Sequence, residues 1–168
     1  MKLIPLTNVL IASVVALGAT TSINQPSQAQ GGRGIYCDTS TNKPVTVYQN
    51  DRGTTEPWIR WTSNYFKNAG YDPLTRCQDV SARLENYRRN RQLKFITTGQ
   101  MNRQNVICTA SQSDGQCDGL VLTLKPKENP ERALTNLFAW RSGAAPSRSG
   151  RNNTHYIDVR GQLGTRKE

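Results

Sequence analysis

The spacing of hydrophobic positions changes along the chain, and these changes predict the order of strands and helices. Short runs rich in β-branched, aromatic and aliphatic residues are typical of strands. These runs are residues 35–37, 45–48, 58–61, 93–98, 105–110, 120–124 and 155–159. The run 120–124 is the most apolar, which favours a central strand, whereas 155–159 is expected at a sheet edge. The connection 99–104 predicts a hairpin between the fourth and fifth runs.

The first helix is predicted between Asp72 and Asn90. Asp72 is placed to cap it, and Pro73 stands in its first turn, where a missing N–H costs nothing. Apolar residues then recur every three or four positions, which predicts one buried stripe along an amphipathic helix. The stripe consists of Leu74, Cys77, Val80, Leu84 and Tyr87.

A second helix is predicted after Asn129 and Pro130, which repeat the same start pattern. Leu134, Leu137, Phe138 and Arg141 follow at helical spacing. The order of elements predicts an α+β fold, in which a small, mainly antiparallel sheet is covered by two amphipathic helices.

The first 29 residues have the pattern of a secretory signal peptide. Lys2 precedes an apolar segment, and small residues stand at the expected cleavage point after Ala29. The apolar segment is shorter than the ~20 residues that cross a bilayer. We predict that residues 1–29 are removed, and an uncleaved membrane anchor is the alternative.

Four further segments follow from local composition. Residues 30–34 are rich in Gln and Gly and are expected to be flexible. A single disulfide-bonded α+β domain is expected over 35–160. Within it, the Gly-, Ser- and Arg-rich stretch 142–153 is predicted to be a flexible loop, and 161–168 a basic C-terminal tail.

An even number of cysteines in an exported chain predicts two disulfides. The spacing of Cys37, Cys77, Cys108 and Cys117 fits no zinc pattern, so no metal site is expected. Three pairings are possible. We prefer Cys108–Cys117, because a short loop joins two strand-like runs there, which leaves Cys37–Cys77. A reactive or metal-bound thiol is the alternative.

Charge narrows the classes of partner. The 168 residues include 22 Lys and Arg against 12 Asp and Glu, which gives a formal charge of +10, or +9 without Lys2. This excess predicts binding to an anionic membrane surface or to acidic envelope polysaccharide. Nucleic acid is not an expected partner, because the chain is predicted to be exported. The candidate anion-binding residues, near the end of the first helix, are Arg83, Arg88, Arg89, Arg91 and Lys94.

Aromatic residues around Arg60 provide a second candidate surface. In an extended run, Trp58 and Arg60 share one face while Ile59 and Trp61 share the other. One tryptophan on a wet surface beside Arg60 would stack on a sugar or an aromatic ligand. The alternative, which we prefer, is that these aromatic side chains form the core.

No residue is assigned a catalytic role, and no cofactor is expected. His155 is the only histidine and no GxSxG motif is present, so a nucleophile–histidine–acid triad is not indicated. A glycan-acting hydrolase would instead need two carboxylates. Those available include Glu56, Asp72, Asp79, Glu85, Asp114 and Asp118. A third alternative is a protease-inhibitor or chaperone-like module that presents the loop 109–116.

Several separated motifs resemble one known family. They are residues 58–66, 70–71, 76–77, 93–99, 106–108, 122–126 and 136–138. In this order, they resemble the circadian oscillating protein family of cyanobacteria over roughly residues 35–160. The resemblance implies a lineage and an exported or membrane-associated location. It implies no reaction and no ligand, and stretch 142–153 has no clear counterpart.

Together these features predict an exported, non-enzymatic binding module with a basic surface. Its location is expected to be the periplasm, the thylakoid lumen or the cell surface, with peripheral attachment to a membrane. The oligomeric state stays open.

Overall fold

Eight strands and two α-helices make up the described part of the chain, residues 33–139, 148–149 and 155–163 of a computed structural model. The strands are β1 (Gly34–Asp38), β2 (Val45–Gln49), β3 (Thr55–Arg60), β4 (Phe95–Met101), β5 (Gln104–Ala110), β6 (Gly119–Thr123), β7 (Arg148–Ser149) and β8 (His155–Asp158). The helices are α1 (Pro73–Arg89) and α2 (Pro130–Phe138), with short 3₁₀ helices at Lys67–Ala69 and Arg160–Gln162.

Some predicted segments lie outside the described residues. They are the signal peptide 1–29, residues 30–32, most of the loop 142–153, Arg141 of the second helix stripe, and residues 164–168. Two described pieces of these segments differ from the predictions. Arg148–Ser149, inside the predicted loop, pairs with β8, and Leu163, inside the predicted tail, is buried in the core.

The α+β class is confirmed, with the strands divided between two antiparallel sheets. The first sheet has the order β1-β2-β3, and the second has the order β6-β5-β4-β8-β7. Helix α1 packs on β1, β2 and β6, whereas α2 packs on β3, β4 and β5. Both helices therefore contact both sheets, and one hydrophobic core includes side chains from all of these layers.

The predicted hairpin is confirmed, but its loop is shorter than expected. Met101 pairs with Gln104, so only Asn102 and Arg103 lie between β4 and β5. Both have positive φ angles, 50° and 62°. Such angles at both central positions define the type I′ turn, whose twist matches that of the flanking strands.

Two expected positions within the sheet are corrected. The apolar β6 lies at the edge of the second sheet, and β8 lies between β4 and β7. An apolar strand can occupy an edge when another element covers it. Here the covering element is α1: Arg83 Nη1 donates to the carbonyl of Val121 at 2.7 Å, and the Tyr87 hydroxyl donates to that of Leu120 at 3.1 Å.

Helix α1 begins and ends as its sequence predicts. The Asp72 carboxylate accepts a hydrogen bond from the Thr75 amide at 2.8 Å, and this contact lowers the pKa of Asp72. At the other end, the Arg91 amide bonds to the Arg88 carbonyl and the Gln92 amide to the Tyr87 carbonyl. This pair of bonds is a Schellman motif, which satisfies carbonyls that the helix leaves open.

The helix stripe is buried except at its first position. Cys77, Val80 and Leu84 are buried and Tyr87 is partly buried, whereas Leu74 is 41% exposed. Leu74 lies in the first turn of α1, one position outside the buried part of the stripe, which begins at Cys77.

Both preferred disulfide pairings are confirmed. Cys37–Cys77 joins β1 to α1, and Cys108–Cys117 joins β5 to the segment before β6. In β4, Gly99 leaves the space that the Cys117 sulfur occupies, and a Cβ atom there would overlap it. The disulfides thus connect one sheet to a helix and close the loop beside the other sheet.

Candidate functional site

The basic residues predicted to bind anions divide into two groups. Arg83 and Arg88 are half-buried and already have partners inside the protein. Arg83 donates to the Val121 carbonyl, and Arg88 makes two 2.7 Å hydrogen bonds to Glu85. Glu85 also accepts the Ile35 amide at 2.8 Å, and its hydrogen bond raises the pKa of Arg88. Arg83 therefore joins α1 to β6, while Arg88 holds the Glu85 carboxylate that joins α1 to β1.

The other three residues, Arg89, Arg91 and Lys94, are exposed. They follow one another around the end of α1, where the backbone turns into β4. Arg91 has a φ of 58°, because it occupies the left-handed position of the Schellman motif. This group remains an accessible basic patch, smaller than the sequence suggested.

The expected tryptophan surface is corrected by the burial of both rings. Trp58 is 0% exposed and Trp61 is 2% exposed, so neither ring is placed to stack on a ligand at a wet surface. The simple alternation fails because Trp58 is the extra residue of a β-bulge: Thr46 pairs with Ile59 and Val47 with Pro57. The preferred alternative, that the aromatic residues form the core, describes this part of the structure.

A solvent-open groove of about 390 Å³ lies beside Trp61. Its walls come from the segment after β3, the first turn of α1, β6 with the residues that follow it, and α2. Arg60, the third residue of the expected surface, is exposed and lines the groove. Its principal apolar and charged lining residues are Trp61, Phe66, Arg76, Leu122, Leu124 and Leu137.

Arg76 is held at the aromatic wall of the groove. Its guanidinium carbon lies 4.8 Å from the ring centroid of Trp61 and 5.2 Å from that of Phe66. Cations at this distance from an aromatic face are attracted by its negative charge distribution. Nη1 of Arg76 also donates a long, 3.4 Å hydrogen bond to the Ser63 carbonyl. These contacts fix the guanidinium between two rings.

The charge of Arg76 has no direct acidic partner in the described part of the chain. Burial lowers the pKa of Arg76, and the more distant Glu128 acts in the opposite direction. Glu128 is itself used locally, because its Oε2 accepts the Lys125 amide at 3.1 Å. The groove therefore contains a half-buried cation whose charge is only partly balanced.

A second cavity of about 320 Å³ adjoins the groove. It is lined by residues that include Phe66, Tyr71, Asp79 and Arg83, and it shares Arg76 with the groove. Arg76 and Arg83 are seven residues apart, so they lie on one face of α1. Arg76 thus borders two adjoining spaces.

Three large side chains are exposed between residues 65 and 74, and one of them, Tyr71, lines the second cavity. Tyr65, Tyr71 and Leu74 are 56%, 53% and 41% exposed, and we call these three residues the aromatic rim. The chain folds back between Tyr65 and Tyr71, since the Tyr71 amide donates a hydrogen bond to the Phe66 carbonyl at 3.0 Å. Lys125 lies next to the rim, with Nζ 5.5 Å from the Tyr65 ring centroid.

Sequence reasoning did not single out Arg76 or the rim as a site. The available indication was the position of Arg76 and Arg83 on either side of Val80, next to the apolar stripe of α1. Arginines so placed have aliphatic stems that pack on the core while their charged ends reach its border. Most lining residues also belong to the segments that carry the family resemblance.

Within residues 33–139, 148–149 and 155–163, no three His, Cys, Asp or Glu side chains are grouped as metal ligands would be. Over the same residues, no helix has both the length and the hydropathy that a membrane crossing requires.

Fold and groove together define the molecule as a disulfide-bonded α+β domain with an arginine in an aromatic-walled groove. The family model for circadian oscillating protein COP23 matches residues 35–163, and the chain belongs to this family. The match includes both disulfides and the whole groove, and it confirms the resemblance of the separated motifs. A search of curated proteins found no match, and neither did a search of solved structures.

Proposed function

We propose that this protein is an exported, non-enzymatic binding module that associates peripherally with an anionic membrane surface. The observation that carries the proposal is the exposure of the aromatic rim, Tyr65, Tyr71 and Leu74, with Lys125 next to the Tyr65 ring. Exposed apolar and aromatic groups with basic neighbours are typical of surfaces that meet lipid.

The chemistry of the rim suits the interfacial region of a bilayer. A tyrosine has an apolar ring and a polar hydroxyl, so it is stable where hydrocarbon meets headgroups. Lys67 and Lys125 are polar neighbours that supply positive charge toward anionic headgroups. The exposed patch of Arg89, Arg91 and Lys94 adds charge elsewhere on the molecule, which favours long-range attraction.

The first experiment measures co-sedimentation with vesicles of phosphatidylglycerol and phosphatidylcholine. The triple variant Tyr65→Ser, Tyr71→Ser, Leu74→Ser should bind about tenfold more weakly, because it removes apolar contact without changing charge. Binding of the unaltered protein should fall as salt rises, since exposed charges are screened.

A matched variant, Arg89→Gln, Arg91→Gln, Lys94→Gln, removes three charges and leaves the rim intact. It should retain most of its vesicle binding at physiological salt, where charges away from the membrane contact are largely screened. If this variant loses binding and the rim variant keeps it, the rim is not the membrane contact. Binding to an acidic polysaccharide without any binding to vesicles would also overturn the membrane proposal.

Export is a separate part of the proposal. It is supported by the pattern of residues 1–29 and by the two disulfides, which are consistent with an oxidising compartment. The intact mass of protein purified from native cells should correspond to a chain that lacks residues 1–29 and contains two disulfides. A mass that includes residues 1–29 would indicate an uncleaved anchor instead, as would retention in the membrane fraction after high-salt washing.

A further inference from the structure

Arg76 is a half-buried cation that the protein does not neutralise with any described carboxylate. Removing a charge from water is unfavourable unless a partner compensates for it. Contacts with the Trp61 and Phe66 rings supply part of this compensation. The uncompensated part of the cost of burying this charge favours an anion that enters the groove from solution.

Most hydrogen-bonding capacity of Arg76 is also unused. A guanidinium has five N–H donors, and among the described residues only the Ser63 carbonyl accepts from this one, at 3.4 Å. Arg76 lines both the groove and the second cavity, so a ligand in either space would meet its side chain. A planar fork of such donors matches the two oxygens of a carboxylate.

The rest of the groove is suited to an apolar body. Leu122, Leu124 and Leu137 line it together with the aromatic wall, and its volume of about 390 Å³ is within the usual range for small-molecule sites. We propose that the groove binds an amphipathic carboxylate, with its carboxylate on Arg76 and its apolar chain along the leucines.

The charges of the groove favour an anion as its ligand. Arg60, Arg76 and Lys125 line the groove together with the single acid Glu128, so the described lining has a net positive charge. Among these cations, Arg76 is the one that packs against the rings of both Trp61 and Phe66. Its guanidinium also has the planar donor geometry that pairs with both oxygens of one carboxylate, so the carboxylate is placed there.

This inference does not depend on membrane association. The ligand is a single molecule free in solution, and its site is the groove, not the aromatic rim. A protein that fails to bind vesicles would still bind the carboxylate, and a protein that fails to bind the carboxylate would still bind vesicles.

The test uses the oxidised full chain and titrates dodecanoate below its micelle concentration, with calorimetry and tryptophan fluorescence as readouts. Trp61 contacts Arg76, so its emission should change on binding. Arg76→Gln should raise the Kd about 10- to 100-fold, as expected for loss of a charged hydrogen-bonded pair. The control Arg89→Gln, which removes the same charge from the same helix outside the groove, should leave the Kd unchanged.

If Arg76→Gln does not fold, Arg76→Lys provides the second variant. It keeps the charge but removes the planar set of guanidinium donors, so it should raise the Kd about tenfold.

Unchanged affinity in either folded variant would overturn the proposal. Equal binding of dodecanol would show that the carboxylate is not recognised, and tighter binding of dodecyl phosphate would assign the site to phosphate. Failure of dodecanoate to bind the unaltered protein would also refute it.

Discussion

The hydroxyl of Thr46 shows how one residue positions the candidate site. It is fully buried and accepts hydrogen bonds from Trp61 Nε1 and from the Ser81 hydroxyl, both at 2.9 Å. Thr46 lies on β2 and Ser81 on α1, so this small network connects the first sheet to the helix. It also fixes the Trp61 ring against which Arg76 packs.

Thr46→Val should destabilise the protein by about 2–4 kcal/mol. The shape of the side chain is nearly retained, but the Trp61 N–H and the Ser81 hydroxyl lose their acceptor in a buried environment. Urea unfolding measures the loss. The control Thr55→Val, at an exposed position of β3, should change stability by less than about 0.5 kcal/mol. Equal stability of both variants would mean that the network contributes nothing.

At the scale of elements, α1 has a role beyond covering the core. Its side chains Arg83 and Tyr87 satisfy carbonyls at the outer edge of β6. Val121 is the extra residue of a bulge in β6, since Ile107 pairs with Leu122 and Cys108 with Leu120. A bulge disturbs the regular pairing of a strand, and here a helix side chain occupies the irregular position.

Tyr87→Phe should therefore reduce stability by about 0.5–1.5 kcal/mol, through loss of one hydrogen bond to the edge of β6. Arg83→Met should cost more, about 1.5–3 kcal/mol, because its hydrogen bond is charge-assisted. Tyr71→Phe, on an exposed ring, is the matched control and should be nearly neutral. Chemical unfolding of the three variants checks the order, and an Arg83→Met variant as stable as the control would contradict it.

Across the whole molecule, two disulfides support a chain of modest hydrophobic content. The bridges close loops of different length, with sequence separations of 40 for Cys37–Cys77 and 9 for Cys108–Cys117. In the loop-entropy account, a crosslink stabilises the fold by restricting the unfolded chain, and a longer loop gives a larger effect.

The double variant Cys37→Ala, Cys77→Ala should lose about 4 kcal/mol, and Cys108→Ala, Cys117→Ala about 2.5 kcal/mol. Guanidinium unfolding under oxidising conditions measures both losses. Repeating the measurement with a reducing agent is the control, since the entropic advantage of the unaltered protein should then disappear. A larger loss from the shorter loop would contradict the entropic account.

Local sequence determined the elements whose geometry depends on neighbouring residues. Asp72 and Pro73 specify the start of α1, because cap and first-turn contacts are made within four residues. Likewise, alternating and helical periodicities identified most strands and both helices. The preferred cysteine pairing followed from the short loop between two strands, and the other pairing by elimination.

Only the tertiary structure decided which element each apolar face meets. At the edge strand β6, the Val121 carbonyl is satisfied by Arg83, which is 38 residues away. The buried Trp61 depends on Thr46, 15 residues away, and Thr46 in turn on Ser81, 35 residues away. Periodicity shows that a face is apolar, but packing between distant segments selects its partner. For that reason the sequence determined the elements, whereas the groove around Arg76 exists only in the folded chain.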